Sequence, residues 1–247
     1  MSLYAIGDLH LHFNSELKAR SQLTDRAWRD HEEKFRANCA KTVRDDDTLV
    51  LVGDHSWGRT PEEYEPDMEY IESLPGRKIL LRGNHDMFWD AKKTDALNLR
   101  YKDRLFFLQN NYAVYENYAI VGTKGFTFEG PFFLDRKGKI LRWDEKAKAH
   151  ADELVERELA RLRASFEAAK SDGFTHFLMF LHYPPTNIME QDSVFTGIAE
   201  EYHAEQVIYA HCHGKSRFHD SIEGVKNGVA YALVSGDKMN WKPYKVL

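Results

Sequence analysis

The sequence predicts an α/β protein with two sheets face to face and helices outside them. Three observations lead there: short apolar runs that end in polar clusters, helical stretches between the first of these runs, and a group of closely spaced strands in the middle. Leu3-Tyr4-Ala5-Ile6 runs into Gly7-Asp8, residues 48–52 run into Gly53-Asp54, and residues 78–81 run into Arg82-Gly83-Asn84-His85-Asp86. Residues 177–181 run into His182, and residues 207–209 lead to His211. Short apolar runs bounded by polar residues read as buried strands. Helical stretches at 15–43 and 61–74 separate the first three runs, the second opening on Pro61, whose fixed φ suits a first helical turn. That alternation is βαβαβ.

The middle of the chain has a different rhythm. Residues 105–108, 112–115 and 118–121 read as strands, joined through Asn110-Asn111 and Glu116-Asn117, which suits antiparallel hairpins. A long helix is expected over 143–170. Its Val155, Leu159, Leu162 and Phe166 recur at helical spacing and form one apolar stripe, which packs on a sheet or, as the alternative, makes a dimer seam. Residues 229–235 read as a further strand. These strands exceed what one small sheet needs, hence two sheets.

Bulk properties narrow the function classes. The 247 residues carry a formal net charge of −5, which argues against a partner that is long nucleic acid. Only Cys39 and Cys212 are cysteines, too few for a disulfide scaffold, so a reducing, cytoplasmic setting is expected. No signal-peptide pattern and no membrane-length apolar run stand out, and no Gly/Ser-rich linker or repeat divides the chain. Residues 1–247 therefore read as a single domain with no membrane partner. The sequence is silent on oligomeric state.

Metal-ligand residue types stand at five strand ends: Asp8 and His10, then Asp54, then Asn84 and His85, then His182, then His211 and His213. Ligands bind beyond the carboxyl ends of strands in open α/β sheets. Asp8 and His10 are two apart, as are His211 and His213. On extended chain such residues project to one side, so each pair is expected to offer two ligands to one place. The mixture of imidazole, carboxylate and carboxamide suits Mn, Fe or Zn, and there is no cysteine cluster for structural zinc. Two divalent ions about 3.5–4 Å apart can clamp the attacking and leaving oxygens of a phosphoryl displacement, with one carboxylate bridging them. Against their charge, Asp8, Asp54 and a bridging hydroxide leave about one positive charge to attract a phosphate ester.

Taken in order, these motifs resemble the calcineurin-like metallophosphoesterases, whose pattern is Asp-x-His, Gly-Asp, Gly-Asn-His-Asp/Glu, His and Gly-His-x-His, each after a strand. The counterparts here are Gly7-Asp8-Leu9-His10, Gly53-Asp54, Gly83-Asn84-His85-Asp86, His182 and Ala210-His211-Cys212-His213. Gly53-Asp54-His55-Ser56-Trp57, Leu74-Pro75-Gly76, Asn117-Tyr118-Ala119-Ile120, His182-Tyr183-Pro184-Pro185 and Asn240-Trp241-Lys242-Pro243 are similar to a prokaryotic branch of predicted phosphohydrolases. The resemblance implies a four-layer αββα sandwich of two mixed sheets. It implies hydrolysis of a small phosphomonoester or phosphodiester by a metal-bridging hydroxide, at two divalent ions. A nuclease of the same family is the alternative. A metal-poor protein-binding scaffold would have lost ligands, and every ligand type is present. By resemblance, Asp8, His10 and His213 hold one ion, Asn84, His182 and His211 the other, and Asp54 bridges. His85 reaches the phosphate and the leaving oxygen as general acid, and Asp86 orients His85. Ala210 stands where the family has Gly. If that turn needs a positive φ, the alanine costs about 1 kcal/mol.

Other residues read more plainly. His55 and Cys212 point away from their ligand neighbours by strand alternation, toward packing or hydrogen-bonding roles. Trp57, Phe88 and Trp89 either pack in the core or wall the cleft. His12 is close enough to the first motif to support it.

Overall fold

A computed structural model describes residues 1–14, 26–126, 137, 139–140 and 144–247. The described residues sort into two units, Met1–Gln109 with Val234–Leu247, and Asn110–Leu233. Each is built on one mixed sheet.

The first unit holds β1 (Leu3–Ile6), β2 (Thr48–Val52), β3 (Arg77–Leu81), β4 (Leu105–Leu108) and, from its last segment, β11 (Tyr244–Lys245). The order across the sheet is β11-β1-β2-β3-β4, with β1 to β4 parallel and β11 antiparallel to β1. Every residue of β2 is buried, as expected of a central strand covered on both faces. The helices are α1 (His31–Thr42), α2 (Pro61–Glu72) and α3 (Thr94–Arg100). A capping box between Thr60 and Glu63, with Pro61 just inside, starts α2. Phe35, Met68, Ile71, Leu80 and Phe107 join one buried cluster there.

The second unit holds β5 (Tyr112–Tyr115), β6 (Tyr118–Thr123), β7 (His176–Leu181), β8 (Gln206–Tyr209), β9 (Gly224–Lys226) and β10 (Val229–Leu233), in the order β5-β6-β7-β8-β10-β9. The run from β6 through β7 and β8 to β10 is parallel, and the edge strands β5 and β9 are antiparallel. Its helices are α4 (Glu145–Ser171), α5 (Val194–Glu201) and α6 (Gly214–His219). The apolar stripe of α4 packs on its own unit, with Leu162 and Phe166 buried and Val155 and Leu159 partly so. Phe166 stacks on Tyr202 at 4.3 Å and meets Phe177 edge-on at 5.3 Å.

Polar groups also dock α4. Ser165 Oγ donates to the Asn111 carbonyl at 2.5 Å and accepts from Gly122 N at 3.2 Å. Glu158 is fully buried, where it accepts from Thr123 Oγ1 at 2.6 Å and from Arg161 at 2.5 Å. A buried carboxylate needs such partners, and these two hold the end of β6 in place.

Two sheet assignments differ from the sequence reading. Strand β4 belongs to the first sheet and β5 to the second, so Asn110-Asn111 is the passage between sheets and not a hairpin turn. Only β5 and β6 form the expected hairpin, with Glu116 at a left-handed φ of 50°. The helix expected at 15–43 is α1 preceded by a short 3-10 turn at Arg26–Trp28, and its expected start, residues 15–25, lies outside the described residues, as does Trp143. Among the described residues no helix is long and apolar enough to cross a membrane.

Candidate metal centre

In the first unit, Asp8 and His10 follow β1, Asp54 follows β2, and Asn84 and His85 follow β3. The three strands are adjacent and parallel, so all three loops leave the sheet at the same edge. The loops are hydrogen-bonded to one another. Asp8 N donates to Gly53 O at 3.0 Å, His10 N to Asp54 O at 2.8 Å, and His85 N to Asp54 Oδ1 at 2.7 Å. The other carboxylate oxygen of Asp54 faces His10 Nε2 at 3.7 Å and His85 Nε2 at 3.9 Å. A Cβ on Gly83 would lie 2.1 Å from both the nitrogen and Oδ1 of Asp54, so only glycine allows this approach.

The pairing of ligands two residues apart has another cause than the one the sequence suggested. Asp8, His10 and Asp54 are not extended. They sit in left-handed backbone, with φ of 64°, 46° and 55°. Such conformations cost of order 1–3 kcal/mol each and persist only where the surroundings fix them. Asp8 and Asp54 are buried as well, at 0% and 1% exposure, so carboxylates on two hydrogen-bonded loops are held out of water. Carboxylates so placed gain from a cation between them.

Asp86 does a different task from the expected one of orienting His85. Among the described residues its carboxylate accepts from the backbone nitrogens of Gly83 (2.7 Å), Asp54 (3.0 Å), His55 (2.7 Å) and Ser56 (3.2 Å), and from His55 Nδ1 (2.9 Å). It ties the loop after β2 to the loop after β3. Burial pushes its carboxyl up, but the adjacent His55 and the Gly83 N–H more than offset this, so its pKa lies below the ordinary value. His55, fully buried, is its partner and not a ligand, in keeping with the sequence reading. His85 is placed by rings instead. Trp57 lies 4.1 Å from it, and His10 lies 5.3 Å away in edge contact. Trp57 also stacks on His10 at 5.1 Å, so it lines the site. Phe88 stacks on Tyr64, and Trp89 packs on Phe107 while donating to Thr94 Oγ1, so both belong to the core. His12 Nδ1 lies 3.1 Å from the His10 carbonyl.

In the second unit, His182 follows β7 and His211 follows the adjacent parallel β8. Lys124, next to the Thr123 that Glu158 holds, offers its carbonyl to His182 N at 3.2 Å and Tyr183 N at 2.9 Å. Ala210 N donates to His182 O at 3.2 Å. The Nδ1 of His211 and the Nε2 of His182 are 3.2 Å apart. Two nitrogens bound about 2.0–2.1 Å from one tetrahedral zinc ion lie roughly 3.3 Å from each other, so this pair fits a shared ion. Tyr183 covers His211 at 4.3 Å. His211 is left-handed at φ 72°, as is Gly214 at 78°, whereas Ala210 is not. The departure from glycine at 210 therefore carries no strain. His213 stands in extended backbone at the position just before α6, and Cys212 is buried.

The chain belongs to the calcineurin-like phosphoesterase family, whose model matches residues 1–215. The family's chemistry is metal-dependent hydrolysis of phosphoesters, normally at two divalent ions. No curated protein matches the chain. Among solved structures it is similar to a phosphopantetheinyl hydrolase from Mycobacterium tuberculosis, with TM-score 0.62 and 16% identity over 100% of this chain and 95% of that one. A protein of unknown function from Aquifex aeolicus matches at TM-score 0.50 and 15% identity, over 99% and 95%. A Thermus thermophilus protein matches at 0.52 and 11%, over 86% and 82%. At these identities the likeness is one of fold.

Proposed function

We propose that the chain hydrolyses a small phosphomonoester or phosphodiester at a dinuclear metal centre. Asp8, His10 and His213 would hold one ion and Asn84, His182 and His211 the other, with Asp54 shared between them. The observation that carries this reading is the Asp54 carboxylate: buried, fixed through Oδ1 by the His85 N–H, and turned through Oδ2 toward two imidazoles. When bound, divalent ions supply Lewis acidity to a phosphoryl group and lower the pKa of water. Mn, Fe and Zn all suit this donor set.

The chain's own residues do the rest. His85 would hold a proton toward the leaving oxygen through its imidazole, its ring kept in place by Trp57 and His10. Trp57 excludes water from one side of both imidazoles. Asp86 keeps the Asp54 and Asn84 loops in register. A small ester in place of a nucleic acid agrees with the net charge of −5.

The test is a panel of monoesters, diesters and cyclic nucleotides with Mn²⁺-loaded protein, run beside Asp54→Asn. The variant should stay folded, lose most bound metal and fall roughly 10³-fold or more in rate, at least the scale seen when a charge-stabilising group is removed. Two ions retained per chain in the variant would refute the sharing of Asp54. Efficient degradation of DNA or RNA, falling steeply with salt, would replace the small ester with a polymer substrate.

A further inference from the structure

The segment Asp8–Leu9–His10, left-handed at Asp8 and His10, is anchored on one side by the loop after β2, through Asp8, His10 and Leu11 nitrogens. Those bonds leave the Leu9 carbonyl, between the two ligand residues, to a group from another element. His31, at the start of α1, is that group. Its Nε2 lies 2.7 Å from Leu9 O, and its Nδ1 lies 2.9 Å from Trp28 O. In the imidazolium form both contacts are hydrogen bonds. In the neutral form the Nε2–H tautomer donates to Leu9 O, while Nδ1 faces the Trp28 carbonyl and, at 3.3 Å, Glu32 Oε2. The imidazolium and that tautomer both donate to Leu9.

The ring of His31 is itself confined. It is buried (3% exposed), 4.7 Å from the Trp241 ring and 5.5 Å from that of Trp28. Trp28 in turn meets His10 edge-on at 5.4 Å and Trp241 at 5.0 Å. Trp241 Nε1 donates to Ala27 O at 2.8 Å, and Asn38 Nδ2 donates to Trp241 O at 3.0 Å, so the box closes on α1. Burial pushes the pKa of His31 down, against the pull of Glu32 and of the Leu9 and Trp28 carbonyls.

We infer that His31 is a positioning residue: its hydrogen bond to the Leu9 carbonyl holds Asp8 and His10 in the left-handed backbone from which they bind metal. The inference rests on the dinuclear reading above. It assigns a role in ligand geometry to a side chain that carries no ligand atom. Groups that support metal ligands from behind typically change metal affinity about 10–100-fold when removed.

The experiment compares wild type, His31→Phe, His31→Gln and His31→Asn by Mn²⁺ titration against a competing chelator, thermal unfolding, and kcat and KM on p-nitrophenyl phosphate. In folded His31→Phe, one ion should bind about 10–100-fold more weakly while the other keeps its affinity. His31→Gln, which retains a donor at similar reach, should recover most of that loss, and His31→Asn, too short to reach Leu9, should not. If His31→Phe fails to fold, the Gln and Asn variants decide between the outcomes. Equal affinities in Gln and Asn, or wild-type affinity for both ions in folded Phe, would overturn the role of His31 alone. A wild-type protein that takes up no ion would overturn the dinuclear reading together with it.

Discussion

The ligand loops of the first sheet and those of the second differ in charge and in how they are held. The first set brings both carboxylates, Asp8 and Asp54, and buries them in left-handed backbone. It is tied across three strands by Asp86, by Gly83 and by reciprocal backbone bonds. The second set brings three imidazoles and no acid. His211 and His213 are half-buried, and in the loop between β8 and α6 Cys212 N donates to Ala210 O at 2.9 Å. The difference follows from electrostatics. Buried like charges repel and must be fixed by donors before a cation arrives, whereas imidazoles bring no like-charge pair of carboxylates to hold together, and His211 and His213 stand partly solvated.

Breaking the tie in the first set should produce the largest effect. Asp86→Ala removes the acceptor of five hydrogen bonds and leaves the buried Nδ1 of His55 without its carboxylate. We expect a loss of about 3–5 kcal/mol in stability, read by denaturant unfolding, together with loss of activity. A loss under about 1 kcal/mol would show that the loops hold without it. His85→Ala should keep metal and stability but lower kcat roughly 10²–10⁴-fold, less for nitrophenyl than for alkyl esters. An equal loss on both leaving groups would argue against proton donation by His85.

A smaller effect probes the acid behind the first set. Asp67, buried on α2, accepts from Phe13 N at 3.0 Å and from the Ser56 hydroxyl. Burial raises its pKa from 3.8 to about 6, against those hydrogen bonds. Folded protein therefore binds this proton more tightly than unfolded chain. The resulting stability is complete below the unfolded pKa of 3.8 and is lost as pH rises through about 6. Asp67→Asn should flatten the stability profile across this window by up to about 3 kcal/mol. An unchanged profile in urea melts would place the titration elsewhere. The smallest effect belongs to the second set. His211→Asn keeps a residue that tolerates a left-handed φ, so stability should move by less than about 1 kcal/mol while metal uptake falls. A large drop in melting temperature would erase the contrast between the sets.

The strands were legible because their apolar runs are unambiguous, and the candidate ligands were picked out because they stand where those runs end. What escaped has a local physical reason. Helices α3, α5 and α6 are short, and six to eight residues give too few turns for periodicity to register. The left-handed backbone at Asp8, His10 and Asp54 left no sequence signal, because Asp and His enter it more readily than most residues yet still only at occasional positions, which the tertiary bonds select. Asp86 stands beside His85 in sequence and yet serves His55, because a carboxylate surrounded by backbone N–H groups takes the nearest donors. His31 is far from any motif, Trp241 entered only as part of a stretch resembling a family branch, and their meeting is a property of packing.

The first unit is discontinuous in sequence, and this sets an order of events during synthesis. Strands β1 to β4 leave the ribosome early, yet β1 gains its outer neighbour β11, and Gly7 its partner Val234, only after all of the second unit has been translated. Trp241, which walls His31, arrives equally late. A nascent chain halted before that point carries Asp8, His10, Asp54 and Asn84 without the packing that shapes them. On the proposed reading, the residues that would hold an ion are fully packed only once residue 241 has been made, and until β11 follows, the outer edge of β1 is unpaired.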